Sequence, residues 1–135
     1  MGELVVAYDG KEGSVKALNK AVTLLRDEDH LIIVYVVPTA PISPEFAGID
    51  PSMSKDKAQE VMNGALDDLK SRGISAIGIV REGDVADEII KIGSELKCDL
   101  IVVGSRGLTK VGVFALGSVA DKVARHANRP VLIVR

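Results

Sequence analysis

The period of the apolar positions changes repeatedly along the chain. A short apolar run over residues 4–8 reads as a strand, and Val15, Leu18, Val22 and Leu25 then share one face of a helix ending near Arg26. A second strand is expected over 31–37. Ala58, Val61, Met62, Ala65, Leu66 and Leu69 return at helical spacing, with Ser54 as the expected N-cap and Gly73 as the stop. A weaker alternating strand over 74–80 carries Gly78. Asp84 then caps a helix whose inward positions are Ala86, Ile89, Ile90, Gly93 and Leu96. The run Leu100, Ile101, Val102, Val103 reads as a fourth strand. Ser118 begins a last helix with Val119, Val123, Ala124 and Ala127 inward, and Pro130 introduces a final strand over 131–134.

Strands alternating with helices imply parallel pairing through right-handed crossovers. The strands are apolar almost throughout, as burial on both faces requires. The weak third strand belongs at an edge. The fold class expected is therefore α/β, a single doubly wound, five-stranded parallel sheet of order 3-2-1-4-5 with helices on both faces, Rossmann-like, in one domain over 1–135. In such a sheet the ligand crevice lies beyond the carboxyl ends of the two strands where winding reverses, here the first and fourth. That places Asp9 next to Gly104.

The fourth strand runs into the most informative stretch of the chain. Gly104 ends it, Gly107 follows after two residues, and Gly117-Ser118 after nine more. Glycines permit positive φ and put no Cβ between backbone and ligand, and the N–H groups and dipole of a following helix favour negative charge. A phosphate-bearing ligand is the expectation. Residues 38–53, PTAPISPEFAGIDPSM, hold four of the five prolines and show no periodicity. A segment of that length is either a lid over the crevice or a long surface connection.

Composition narrows the class. At 135 residues the chain suits one core, with roughly two-thirds of the unfolded surface buried. Seventeen Lys and Arg against nineteen Asp and Glu, with two Phe, two Tyr and no Trp, offer neither a basic face nor stacking aromatics for nucleic acid. Cys98 is the only cysteine, which excludes an internal disulfide and suits a reducing compartment. No signal-like N-terminus and no run of membrane-spanning length is present, so a cytoplasmic protein is expected.

Gly104-x2-Gly107-x9-Gly117-Ser118, with Asp9 after the first strand and a helix and strand closing the chain, resembles the nucleotide-binding signature of the ATP-binding branch of the universal stress proteins. The likeness spans the whole chain. It implies an adenine nucleotide, ATP or a relative with magnesium, across the ends of strands one and four, in a small protein that usually dimerises. By matched position it implies a phosphate and ribose cradle of Gly104, Ser105, Arg106, Gly107, Gly117, Ser118 and Val119, mostly through backbone N–H groups. Ala7, Tyr8 and Asp9 correspond to the strand-one edge on the ribose or adenine side, and Val36 to the end of strand two at the adenine edge. Arg106 stands where the family often has histidine, which adds a permanent positive charge. Family members without the glycines do not bind ATP.

Each feature also has a structural reading. Gly104 and Gly107 turn a loop, Ser118 caps a helix, Asp9 braces the first loop, and Arg106 and Lys110 are solvated charges. Cys98 is read as a small hydrophobe, and His30 and His126 have no partner constellation. No G-x-x-x-x-G-K-[ST] sequence supplies a P-loop lysine, and the loop Asp9-Gly10-Lys11-Glu12-Gly13-Ser14 does not match the pyrophosphate loop of ATP pyrophosphatases. A phosphate receiver needs more acids beside Asp9 and a late lysine. A flavin carrier needs aromatics beyond Tyr8, Tyr35, Phe46 and Phe114. The function expected is an ATP-binding regulatory or stress-response protein, with slow hydrolysis left open and no catalytic residue named. The competing expectation is an interaction module that binds no nucleotide and pairs as a homodimer along Val131, Leu132, Ile133 and Val134, an edge strand without a charged residue.

Overall fold

Strand segments such as Leu31, Ile32, Ile33 and Val34 have no solvent side, and the structure covers them on both faces. In the computed structural model, which describes residues 2–39, 51–105 and 116–135 (51–53 by backbone alone), the elements run β1 (Glu3–Ala7), α1 (Glu12–Leu24), β2 (His30–Pro38), α2 (Pro51–Ser71), β3 (Ala76–Gly83), α3 (Val85–Glu95), β4 (Leu100–Gly104), α4 (Ser118–His126) and β5 (Val131–Val134). All strand pairs are parallel, in the order β3-β2-β1-β4-β5. The expected topology is the observed one.

Side-chain alternation along the strands builds two cores. Leu4, Val6, Leu31, Ile33 and Val102 pack with Ala17, Leu18 and Ala21 of α1 and Met62, Ala65 and Leu69 of α2. On the opposite face Val5, Ile32, Val34, Val36, Ile101 and Val103 pack with Ala86, Ile89 and Ile92 of α3 and Ala120 and Val123 of α4. Among the described residues no polar or charged side chain is buried.

Several local expectations shift. Helix α2 starts at Pro51, so Ser54 lies inside it rather than at its cap; proline at a first helical position sacrifices an N–H that has no partner there anyway. Its end is as expected. Gly73 sits at φ +76, its N–H donates to the Lys70 carbonyl, and the Ile74 N–H donates to the Leu69 carbonyl, the bond pair of a Schellman motif. Helix α3 ends in the same way, but with Lys97 at φ 50 in the glycine position. Its buried stripe includes Ile92, while Leu96, expected inward, is the C-cap and is exposed. In α4 it is Ala120 and not Ala124 that is buried, and Gly117 is the N-cap. Strand β3 runs on to Gly83, three residues past Val80.

Asp84 is the N-cap expected. Its carboxylate accepts the Asp87 N–H at 3.0 Å and the Lys122 ammonium at 3.1 Å, and Lys122 also reaches Asp87 at 2.9 Å, which ties α4 to the start of α3. The Asp87 N–H, with Lys122 beside it, holds the Asp84 carboxyl below the ordinary carboxylate range. A group depressed in the folded state contributes its stability above the unfolded pKa and loses it as pH falls through the folded one. Asp84→Ala should therefore cost about 1 kcal/mol at neutral pH, as lost N-caps do. Urea denaturation should show that gap closing below about pH 4.

Candidate functional site

The two central strands part company at the carboxyl edge of the sheet. Strand β1 stays paired with β4 only through Val6 and Val102, while it follows β2 as far as Ala7 and Val34, and the Tyr8 N–H then donates to the Val34 carbonyl at 2.8 Å. Strand β4 instead keeps to β5, pairing Gly104 with Val134, and the Ser105 N–H donates to the Val134 carbonyl at 2.8 Å. The two strands diverge at this switch point, where the strand order places a ligand crevice in sheets of this kind.

Backbone bonds set what faces it. The Gly117 N–H donates to the Ser105 carbonyl at 2.7 Å, which fastens the start of α4 to the exit of β4. The first bond within that helix runs from the Asp121 N–H to the Gly117 carbonyl, so Ser118, Val119 and Ala120 bring N–H groups that have no acceptor inside the helix. The expected cradle is thereby redistributed. Ser105 and Gly117 spend their N–H groups on protein carbonyls, and among the described residues the first turn of α4 supplies free donors. Ser118 is the first helical residue, not the N-cap, and its side chain is exposed.

Gly104 has a further reason for being glycine besides the room for a ligand that was expected. Among the described glycines only Gly10, Gly73 and Gly83 have positive φ. A Cβ at Gly104 would lie 2.7 Å from the Gly13 carbonyl oxygen and 2.9 Å from its carbon, because the first turn of α1 rests directly on the end of β4. Its glycine character is a packing requirement whatever else the loop does.

Asp9 braces the first loop. Its Oδ1 accepts the Lys11 N–H at 2.9 Å and the Ser14 hydroxyl at 2.7 Å, while the Asp9 N–H donates to Ser14 Oγ at 3.1 Å. Among the described residues Oδ2 takes no such bond. Burial, with Asp9 nearby, pushes the phenols of Tyr8 and Tyr35 up from their ordinary range, and Asp68 adds to the effect on Tyr8.

The predicted residues divide by face. Ala7, Val36 and Val119 pack on the same cluster, that of α3 and α4. Tyr8 packs on the other face and lines a groove of about 400 Å³ between α1 and α2, with Asp9, Gly10, Lys11, Val61 and Asp68 on its walls. That groove includes none of Gly104, Gly117 and Ser118. Strand β2 runs two residues beyond Val36, which pairs with Arg81. With the Val34 carbonyl turned toward β1, the two-residue period turns the N–H and C=O of Val36 the same way, past the last β1 bond. Arg106, Gly107, Lys110, Phe114 and Phe46, with residues 40–50 of the expected lid, lie outside the described residues. No group of three metal-binding side chains forms among the described residues. The sequence reading missed Gly13 and Ser14; a small residue and a hydroxyl four and five positions after Asp9 were the available signal.

A doubly wound sheet with a carboxylate and a helix N-terminus at its switch point defines a Rossmann-like α/β protein. Within that class the sequence profile of the universal stress protein family matches residues 1–135, and the chain belongs to that family. It is 34% identical to universal stress protein YxiE of Bacillus subtilis, over 98% of each chain. A universal stress protein solved in complex with cAMP superposes with a TM-score of 0.74 at 28% identity, covering 99% of this chain and 97% of that one. The universal stress protein from Archaeoglobus fulgidus in complex with dAMP shares the fold, with a TM-score of 0.77 at 23% identity over 100% of this chain and 98% of that one.

The contact between Gly13 and Gly104 gives a test that needs no ligand. Gly104→Ala should destabilise the folded protein by roughly 1–3 kcal/mol, the range for overpacking against atoms that cannot yield. Chemical denaturation of the two proteins measures it.

Proposed function

We propose that the chain binds an adenine nucleotide, ATP with magnesium, at the switch point, and that the nucleotide serves as a conformational or assembly signal in a cytoplasmic regulatory or stress-response protein. The observation that carries this reading is the start of α4 fixed to the exit of β4, with three N–H donors on the edge that also carries Asp9. Phosphates suit the helix start, where dipole and donors act together. A ribose hydroxyl suits the Asp9 carboxylate, and the adenine edge suits the N–H and C=O of Val36. Relatives solved with cAMP and dAMP support the ligand class. Since the described residues offer no acidic cluster, magnesium is held by the phosphates. Hydrolysis in this reading is slow at most, with no residue assigned as base.

Titration calorimetry with ATP and magnesium should give saturable heat at micromolar nucleotide, and nucleotide-free protein that gives none at high micromolar ATP defeats the reading. Ser118→Glu sharpens the test. An acidic side chain at the first turn of α4 favours the helix by about 0.3–1 kcal/mol yet repels phosphates. The variant should melt no lower than the parent and bind ATP at least tenfold more weakly.

A second reading rests on the edge strand β5. Its four residues are apolar and each is only half-buried in the single chain, and an edge without charge invites pairing. The proposal is a homodimer along Val131, Leu132, Ile133 and Val134, which is compatible with nucleotide binding. Light scattering at micromolar concentration should report twice the 14.3 kDa chain mass; a monomer there removes this interface.

A further inference from the structure

We infer that Ser14 is a positioning residue for Asp9, holding its carboxylate so that Oδ2 is the oxygen presented to the ribose hydroxyls. The inference rests on the reading of the switch point as a nucleotide seat and assigns a role that the glycine signature does not include.

Ser14 is the third residue of α1, and its hydroxyl meets Asp9 twice. Oγ donates to Oδ1 at 2.7 Å and accepts the Asp9 N–H at 3.1 Å, a reciprocal pair linking one side chain to both ends of another residue. The Lys11 carbonyl also lies 3.0 Å from Oγ. With one proton to give, the hydroxyl favours the carboxylate, the stronger and nearer acceptor. Oδ1 then holds two donors, counting the Lys11 N–H, and the carboxylate is fixed in rotation. The brace is anchored in turn, because Gly13, the residue before Ser14, rests on the backbone of Gly104.

Two consequences separate positioning from loop support. A ribose diol offers donors at fixed spacing, and an acceptor already held in place meets it without losing rotational freedom on binding. With an alanine at 14, Oδ1 keeps only the Lys11 N–H, the Asp9 N–H loses its acceptor, and the carboxylate turns freely. The loss then falls on the part of the affinity that comes from ribose hydroxyls. A residue that merely supported the start of α1 would lower stability and weaken every nucleotide alike.

The test titrates the full-length chain with ATP and with 2′,3′-dideoxy-ATP, each with magnesium, in the parent and in Ser14→Ala, Ser14→Thr, Asp9→Asn and the Asp9→Asn/Ser14→Ala pair. The parent should prefer ATP by about tenfold, the worth of one hydrogen bond to a charged group. Ser14→Ala should reduce that preference to threefold or less, Ser14→Thr should restore it, and Ser14→Ala should add nothing once Asp9 is asparagine. A folded Ser14→Ala protein that keeps the full preference overturns the inference, as does an equal effect of Ser14→Ala in the Asp9→Asn background. If Ser14→Ala does not fold, Ser14→Cys, with its weak donor, is judged by the same two criteria. A parent that binds neither nucleotide overturns the site itself, and a parent that binds both equally overturns the role given to Asp9.

Discussion

The contact of the Gly13 carbonyl with the backbone of Gly104 sets the geometry of the upper edge of the sheet. It is a main-chain contact, closer than any side chain would permit, and it places the first turn of α1 on the end of β4. From that turn Ser14 reaches back to Asp9, and from the end of β4 the Ser105 carbonyl reaches forward to the start of α4. The carboxylate and the helix N-terminus, which belong to distant parts of the sequence, thus refer to one point of backbone packing. Shifting that point would move both at once.

The architecture was legible because its signals are long and repeated. Continuous apolar strands, helical spacing at Ala58, Met62, Ala65 and Leu69, the stop at Gly73 and the cap at Asp84 all act within a few residues of themselves. The edge position of β3 followed from its weak alternation, and Ile77 is more than half exposed there. What was misread depends on contacts the sequence does not display. Ser54 looks like a cap until the helix is seen to start at Pro51, and Lys97 holds a left-handed position normally marked by glycine. Leu96 keeps the helical period yet falls on the C-cap, where α3 has already left the sheet.

The site was legible in outline and not in its division of labour. Asp9, Gly104 and the start of α4 could be brought together from strand order alone, since a switch point is a property of topology. Which N–H groups face the crevice could not, because that depends on where the β4–β5 ladder stops. The ladder claims Ser105, and the return of the chain to α4 claims Gly117. Among the described residues, donors remain where helix geometry leaves them unpaired in any first turn. Glycine at 104 carries the same lesson, because it also makes room for a helix, which no local pattern displays.

Helix α4 joins the two functional proposals physically. Its first turn faces the switch point, Lys122 one turn on is held by Asp84 and Asp87 of α3, and its end passes through Asn128, Arg129 and Pro130 into β5. The Arg129 guanidinium bonds to the Cys98 carbonyl at 2.6 Å, which fixes the passage to the base of β4. A ligand alters assembly only as far as it binds one arrangement of the chain better than another. Under the two proposals α4 is the element common to the phosphate seat and the edge strand. Since the Lys122 ion pairs are about half exposed and individually weak, α4 is held in place mainly by Ala120 and Val123 packed in the core.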